Sequence, residues 1–113
     1  MTNQTKIDFI FKTIYEFYKF ERKIIENKSR QKELSFARTL TGALLKRFTD
    51  LSFAAVGEIM RRDHSTIDFY TQKVKEPYFK NSYKILENKI AKELEQNTSI
   101  NQQITSSWKF GEF

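Results

Sequence analysis

Cysteine is absent from this 113-residue chain, so no disulfide framework, zinc ribbon or thiol chemistry is open to it. Histidine occurs once, at His64, which excludes every metal site that needs several His or Cys ligands. The only glycines, Gly42, Gly57 and Gly111, lie too far apart for a GxGxxG turn or a phosphate-cradling P-loop. No nucleotide, cofactor or metal is therefore expected. Proline occurs only at Pro77, which leaves the whole chain ahead of it free of that helix breaker. No apolar run approaches the roughly 20 residues of a membrane span, and the segment Met-Thr-Asn-Gln-Thr-Lys has no signal-peptide core. A cytoplasmic protein without a membrane partner is the expectation.

What is present in excess is positive charge. The formal net charge is +6 and the pI about 9.6. Residues 19–47 hold nine Lys/Arg against Glu21, Glu26 and Glu33, a net +6, while every other segment nearly cancels. Such a cluster is either a solvated helix face or a surface for phosphates. The length fits one domain with a single modest core.

Apolar spacing predicts an all-α chain of about six helices. A capping-box-like Thr5-x-x-Asp8 opens the first, in which Ile7, Ile10, Phe11, Ile14, Phe17 and Tyr18 recur at helical spacing. Phe9, Tyr15 and Phe20 widen that face, so burial over more than half the circumference is expected. A brief helix within 21–27 turns Ile24 and Ile25 inward. The stretch 27–32 has no apolar residue and reads as an exposed basic loop. A third helix, about 32–49, carries Leu34, Ala37, Leu40, Thr41, Leu44 and Phe48 on one stripe, with Arg38, Lys46 and Arg47 elsewhere. Ser52 is a plausible N-cap for a fourth helix with Phe53, Val56, Ile59 and Met60 inward. Gly57 is either a close approach of two helices or a tolerated surface glycine. Asp63 caps a fifth helix, whose apolar residues are Ile67, Tyr70 and Val74. Pro77 ends it, and a sixth helix to about Gln96 carries Phe79, Tyr83, Leu86, Ile90 and Leu94 as one stripe. The domain is expected over 1–96. Residues 97–113 read as a polar, flexible tail ending in Trp108, Phe110 and Phe113, aromatics that either fold back or meet a protein partner.

Helices four and five, with only Arg61 and Arg62 between them, form a central helix-turn-helix. In such a unit the second helix enters the major groove of DNA and its first residues face the base edges. Those residues are Asp63, His64, Ser65 and Thr66. The Asp-His-Ser run is not read as a triad, because a triad needs convergence in space rather than neighbouring positions. No enzyme is expected.

Four stretches together resemble the C-terminal DNA-binding domain of the bacterial replication initiator DnaA, whose arrangement is also Trp-repressor-like. They are residues 12–19, Ser29-Arg30, Ala37-Arg38 through Leu44, and Arg62-Asp63-His64-Ser65-Thr66-Ile67, which is similar to the family signature RDH[ST]T[VI]. By position, the resemblance implies base reading by Asp63, His64 and Ser65, with Thr66 beside them. It implies a minor-groove role for Arg30 and backbone contacts at Lys32, Arg38 and Lys46. Lys28, Arg61 and Arg62 are added as phosphate contacts on their charge. An aspartate can accept from a cytosine amino group, and an arginine suits the narrow minor groove of A·T-rich DNA.

Two positions depart from the family pattern. The family usually has Gly-Gly before the signature arginine, whereas Met60-Arg61-Arg62 gives a shorter, more basic turn. Thr39 stands where the family carries a longer side chain. A third departure is the expected absence of the initiator's ATPase module, since no P-loop is present, which reads as a stand-alone module. The function expected is sequence-specific binding of double-stranded DNA at sites like the family's TTATNCACA-type box, regulating replication or transcription. The protein would act at the nucleoid, as a monomer or weak dimer, with a phage or mobile element as a plausible home. The alternative is a protein-interaction adaptor that keeps the fold without DNA readout.

Overall fold

A computed structural model describes residues 2–110, with side chains placed for residues 2–96. Six helices and no strand occur among the described residues: α1 Asn3–Tyr18, α2 Arg22–Ile25, α3 Lys32–Phe48, α4 Phe53–Met60, α5 His64–Lys73 and α6 Pro77–Phe110. The all-α, six-helix class expected from apolar spacing is the one found.

α1 begins three residues earlier than Thr5 suggests. Thr2 is its N-cap, and the Thr2 hydroxyl accepts from the Thr5 amide at 3.2 Å. Its buried face is also narrower than its aromatic content implies. Ile7, Ile10, Phe11 and Ile14 are buried, whereas Tyr15, which lies off that row, and Phe17, expected on it but at the last turn of the helix, are exposed. The helix stops at Lys19, which takes the left-handed conformation and donates its amide to Tyr15 O.

α3 is the central element. Leu34, Ala37, Leu40, Thr41, Leu44 and Leu45 are all buried, so this helix loses water on most of its surface. Ser52 caps α4 as expected, accepting from the Ala55 amide at 3.1 Å. Both interior glycines are close-approach positions. A Cβ on Gly42 would strike the Tyr70 ring, and one on Gly57 would strike the backbone carbonyl of Arg62. Gly42 thus lets α5 lie against α3, and Gly57 lets the turn after α4 fold back onto that helix.

The apolar stripe of α6 points inward. Phe79, Leu86 and Ile90 are buried, and Tyr83 and Leu94 pack against the core. Phe36 stacks on Phe79 with ring centroids 4.9 Å apart and meets Tyr18 edge-on at 6.0 Å, which ties α1, α3 and α6 together. The helical backbone runs on through residues 97–110. Asn, Gln, Ser and Thr there are indifferent helix formers but not breakers, and no Gly or Pro intervenes before Gly111. The tail aromatics Trp108, Phe110 and Phe113 lie outside the described side chains.

Candidate nucleic-acid interface

The turn between α4 and α5 is built on backbone hydrogen bonds. The Arg61 amide donates to Glu58 O at 3.3 Å and the Arg62 amide to Gly57 O at 2.8 Å. Arg61 is left-handed (φ 58°), a conformation that glycine adopts at less cost.

α5 then starts at His64. Asp63 holds the N-cap position, and its carbonyl accepts from the Thr66 and Ile67 amides. Its side chain caps nothing. The carboxylate instead accepts from Ser65 Oγ at 2.6 Å, and His64 Nδ1 lies 3.3 Å from its other oxygen. The Ser65 hydroxyl, and to a smaller degree His64, hold the Asp63 carboxyl below the usual carboxylate range. The serine proton is therefore committed to the carboxylate and not to the imidazole, so the trio lacks the Ser-to-His bond of a nucleophilic dyad. Asp63 and His64 are both 68% exposed in their side chains.

Ile67, Tyr70 and Val74 anchor the other side of the helix in the core. This leaves His64, Ser65, Asp68, Phe69 and Gln72 exposed. Phe69 is a residue that the sequence reading passed over. It is 55% exposed, with Lys73 Nζ 5.4 Å from its ring centroid. The signal for it was an aromatic residue lying off the 67/70/74 stripe.

The basic loop lies beside this turn. Lys28, Arg30 and Lys32 are exposed along it. Asn27 shapes it, with its side-chain oxygen accepting from the Ser29 amide at 2.9 Å.

Two arginines expected at phosphates are occupied elsewhere. Arg38 is 4% exposed. Its Nε donates to Ile25 O at 2.8 Å, Nη2 to Asn27 O at 2.7 Å and Oδ1 at 2.8 Å, and Nη1 to Ser29 O. Burial, then the charge of Arg62, draws its guanidinium below the ordinary arginine value. A backbone-phosphate contact by Arg38 does not fit this geometry, because its donors face loop carbonyls inside the protein. Arg62 is half-buried, with Nη2 donating to Asn27 O at 2.6 Å and Nη1 to Arg61 O at 3.0 Å, so its donors are taken up by carbonyls of the loop and the turn. Lys46 gives one proton to Leu51 O at 2.8 Å and sits 4.8 Å from the Phe53 ring centroid, with two protons left over. Arg61 is exposed, and its Nε lies 3.6 Å from Glu26.

Among the described residues, no group of three or more His, Cys, Asp or Glu could hold a metal ion, and no helix is long and apolar enough to cross a membrane.

Two short helices at a tight turn, with a polar exposed start on the second and a cationic loop alongside, define a helix-turn-helix module. The chain belongs to the bacterial DnaA helix-turn-helix family, whose model matches residues 7–74. It is similar to the chromosomal replication initiator protein DnaA of Bacteroides thetaiotaomicron, with 35% identity over 69 residues, covering 58% of this chain and 15% of that protein. The DnaA of Chromobacterium violaceum is 34% identical over 65 residues, covering 57% of this chain and 14% of that protein. For the DnaA of Flavobacterium psychrophilum the identity is 31% over 65 residues, with the same coverage. The chain thus spans about one seventh of the length of the curated relatives it matches.

Proposed function

We propose that this chain binds double-stranded DNA sequence-specifically, with the start of α5 in the major groove and the basic loop in the adjacent minor groove. Membership of the DnaA helix-turn-helix family supports the DNA-binding half of this reading. The observation that carries the rest is the exposed Asp63-His64-Ser65 start of α5 beside an exposed loop bearing Lys28, Arg30 and Lys32. Asp63, His64 and Ser65 read bases, with Thr66 and Phe69 flanking them, and Arg30 enters the minor groove. Lys28, Lys32, Arg61 and the remaining protons of Lys46 meet phosphates. The preferred site is of the TTATNCACA type, and occupation of it regulates replication or transcription.

The test is a titration of a labelled duplex carrying that box, and of a scrambled duplex, at two salt concentrations. The box is expected to bind tighter than the scramble by on the order of 10³-fold or more, with both affinities falling as salt rises. Equal affinity for the two duplexes removes the sequence-specific reading. No binding to either at low salt removes DNA as the ligand.

A further inference from the structure

The basic loop is held by residues of the helix-turn-helix itself. Asn27 is the meeting point. Its backbone carbonyl accepts from Arg62 Nη2 at 2.6 Å and from Arg38 Nη2 at 2.7 Å, so one oxygen is shared by two guanidinium groups from different elements. Its side-chain oxygen accepts from Arg38 and from the Ser29 amide. One residue earlier, the Glu26 carbonyl accepts from Arg62 Nη1 at 3.4 Å, and the Glu26 carboxylate pairs with Arg61 at 3.6 Å. Arg38 comes from α3, whereas Arg61 and Arg62 are the turn that aims α5. Both ends of the Arg62 side chain are therefore fixed. Its backbone leads directly into Asp63 and His64, and its guanidinium grips the strand of loop that leads into Lys28, Ser29 and Arg30.

We propose that Arg62 is a positioning residue. Through the Asn27 carbonyl it sets the register between the minor-groove arm and the reading helix, so that the two grooves are read as one site. A charged hydrogen bond to a carbonyl is directional and stronger than a neutral one, which suits it to fixing a loop that has no regular structure of its own. Arg38 supplies the fixed floor of the same clamp, and Asn27 is the joint. This proposal rests on the DNA-binding reading above and adds to it a coupling between the two halves of the interface.

The experiment uses the full chain and four duplexes: the matched site, an A·T to G·C change under the loop arm, a base change under α5, and both changes together. Wild type, Arg62→Lys and Arg30→Ala are titrated on each, with thermal melting and circular dichroism as folding controls. Each single base change is expected to cost wild type roughly tenfold or more. Arg62→Lys keeps the charge but loses the forked donor. It is expected to lose most of the discrimination under the arm, approaching Arg30→Ala, while keeping the discrimination under α5.

A uniform loss on all four duplexes, with discrimination intact at both positions, marks Arg62 as a phosphate contact and overturns the proposal. So does unchanged discrimination at both positions, or a parallel fall of both with the melting temperature. Should Arg62→Lys not fold, Arg62→Gln serves in its place. Its shorter, uncharged amide cannot keep the forked grip on the Asn27 and Glu26 carbonyls, and the same selective loss under the arm is expected. Failure of wild type to distinguish the matched duplex from the doubly changed one defeats the underlying reading itself, an outcome visible before any variant is compared.

Discussion

The basic loop and α5 make opposite use of charge. The loop presents Lys28 and Arg30, with Lys32 at its exit, and no acid between them. α5 opens on Asp63, carries Asp68 on its exposed side and has no cation before Lys73 in its last turn. Their means of support differ in the same way. Side-chain donors gripping backbone carbonyls hold the loop, whereas buried Ile67, Tyr70 and Val74, with Gly42 as the contact point, hold the helix. A helix whose exposed face is net acidic at its start gains little from phosphates. A loop of cations with no regular structure has few rigid groups for telling base pairs apart. On the proposed reading, most of the phosphate affinity is expected from the lysines of the loop and most of the base selectivity from α5, with Arg30 the one base-discriminating side chain of the loop.

That division breaks most visibly in the loop. Lys28→Ala with Lys32→Ala is expected to weaken binding by on the order of 10- to 100-fold at low salt, equally on matched and scrambled duplexes. The slope of log affinity against log salt should fall by about two units. A loss confined to the matched duplex would return selectivity to the loop and erase the contrast. His64→Ala is the mirror experiment. It should cost roughly 1–3 kcal/mol on the matched site and little on the scramble, with the salt slope unchanged. Equal cost on both duplexes would show His64 to be no reader of bases.

The same two regions mark what could be read before the fold was known. Helix order, the Ser52 cap, the inward stripe of α6 and the exposed start of α5 all follow from local spacing and turn chemistry, which act over a few residues. The role of Arg38 does not. Its charge suggested a phosphate, yet it lies four residues after Leu34 and three before Thr41, on the buried side of α3. An arginine at that phase must find partners inside, and its partners, Ile25, Asn27 and Ser29, come from a loop whose path no periodicity describes. Arg62 evaded the reading for a related reason, since a turn residue has no phase from which the direction of its side chain can be inferred. Gly57 was legible only as a pair of alternatives, because the Arg62 carbonyl that excludes a Cβ there is brought in by the turn.

Phe69 sharpens the contrast at the reading helix. As an exposed aromatic residue among polar neighbours it offers an apolar surface suited to thymine methyl groups. Phe69→Ala is expected to cost about 1 kcal/mol on the matched site, with no change in salt slope and only a small one in melting temperature, because more than half of the residue is already exposed in the free protein. A large fall in melting temperature would instead make Phe69 part of the core.

The smallest effect expected is at Ser65, and it concerns protonation. Ser65 Oγ lies 2.6 Å from the Asp63 carboxylate and is the main reason that its pKa falls below the ordinary 3.8. With the folded value depressed, any stability this pairing gives is present above 3.8 and is lost only as pH drops through the lower, folded value. Asp63 is largely exposed, so the effect belongs in a site-specific titration and not in a melting curve. In Ser65→Ala the Asp63 side-chain carboxyl resonance should titrate at higher pH than in wild type, and His64→Ala should move it less. At neutral pH the carboxylate is ionised in every variant. Any loss of DNA affinity in Ser65→Ala at pH 7 would then report the missing hydroxyl itself and not a change of charge at Asp63. An Asp63 midpoint unmoved by removal of the serine would mean that the Asp63–Ser65 hydrogen bond does not persist in solution. The carboxylate would then be free to turn back and cap α5.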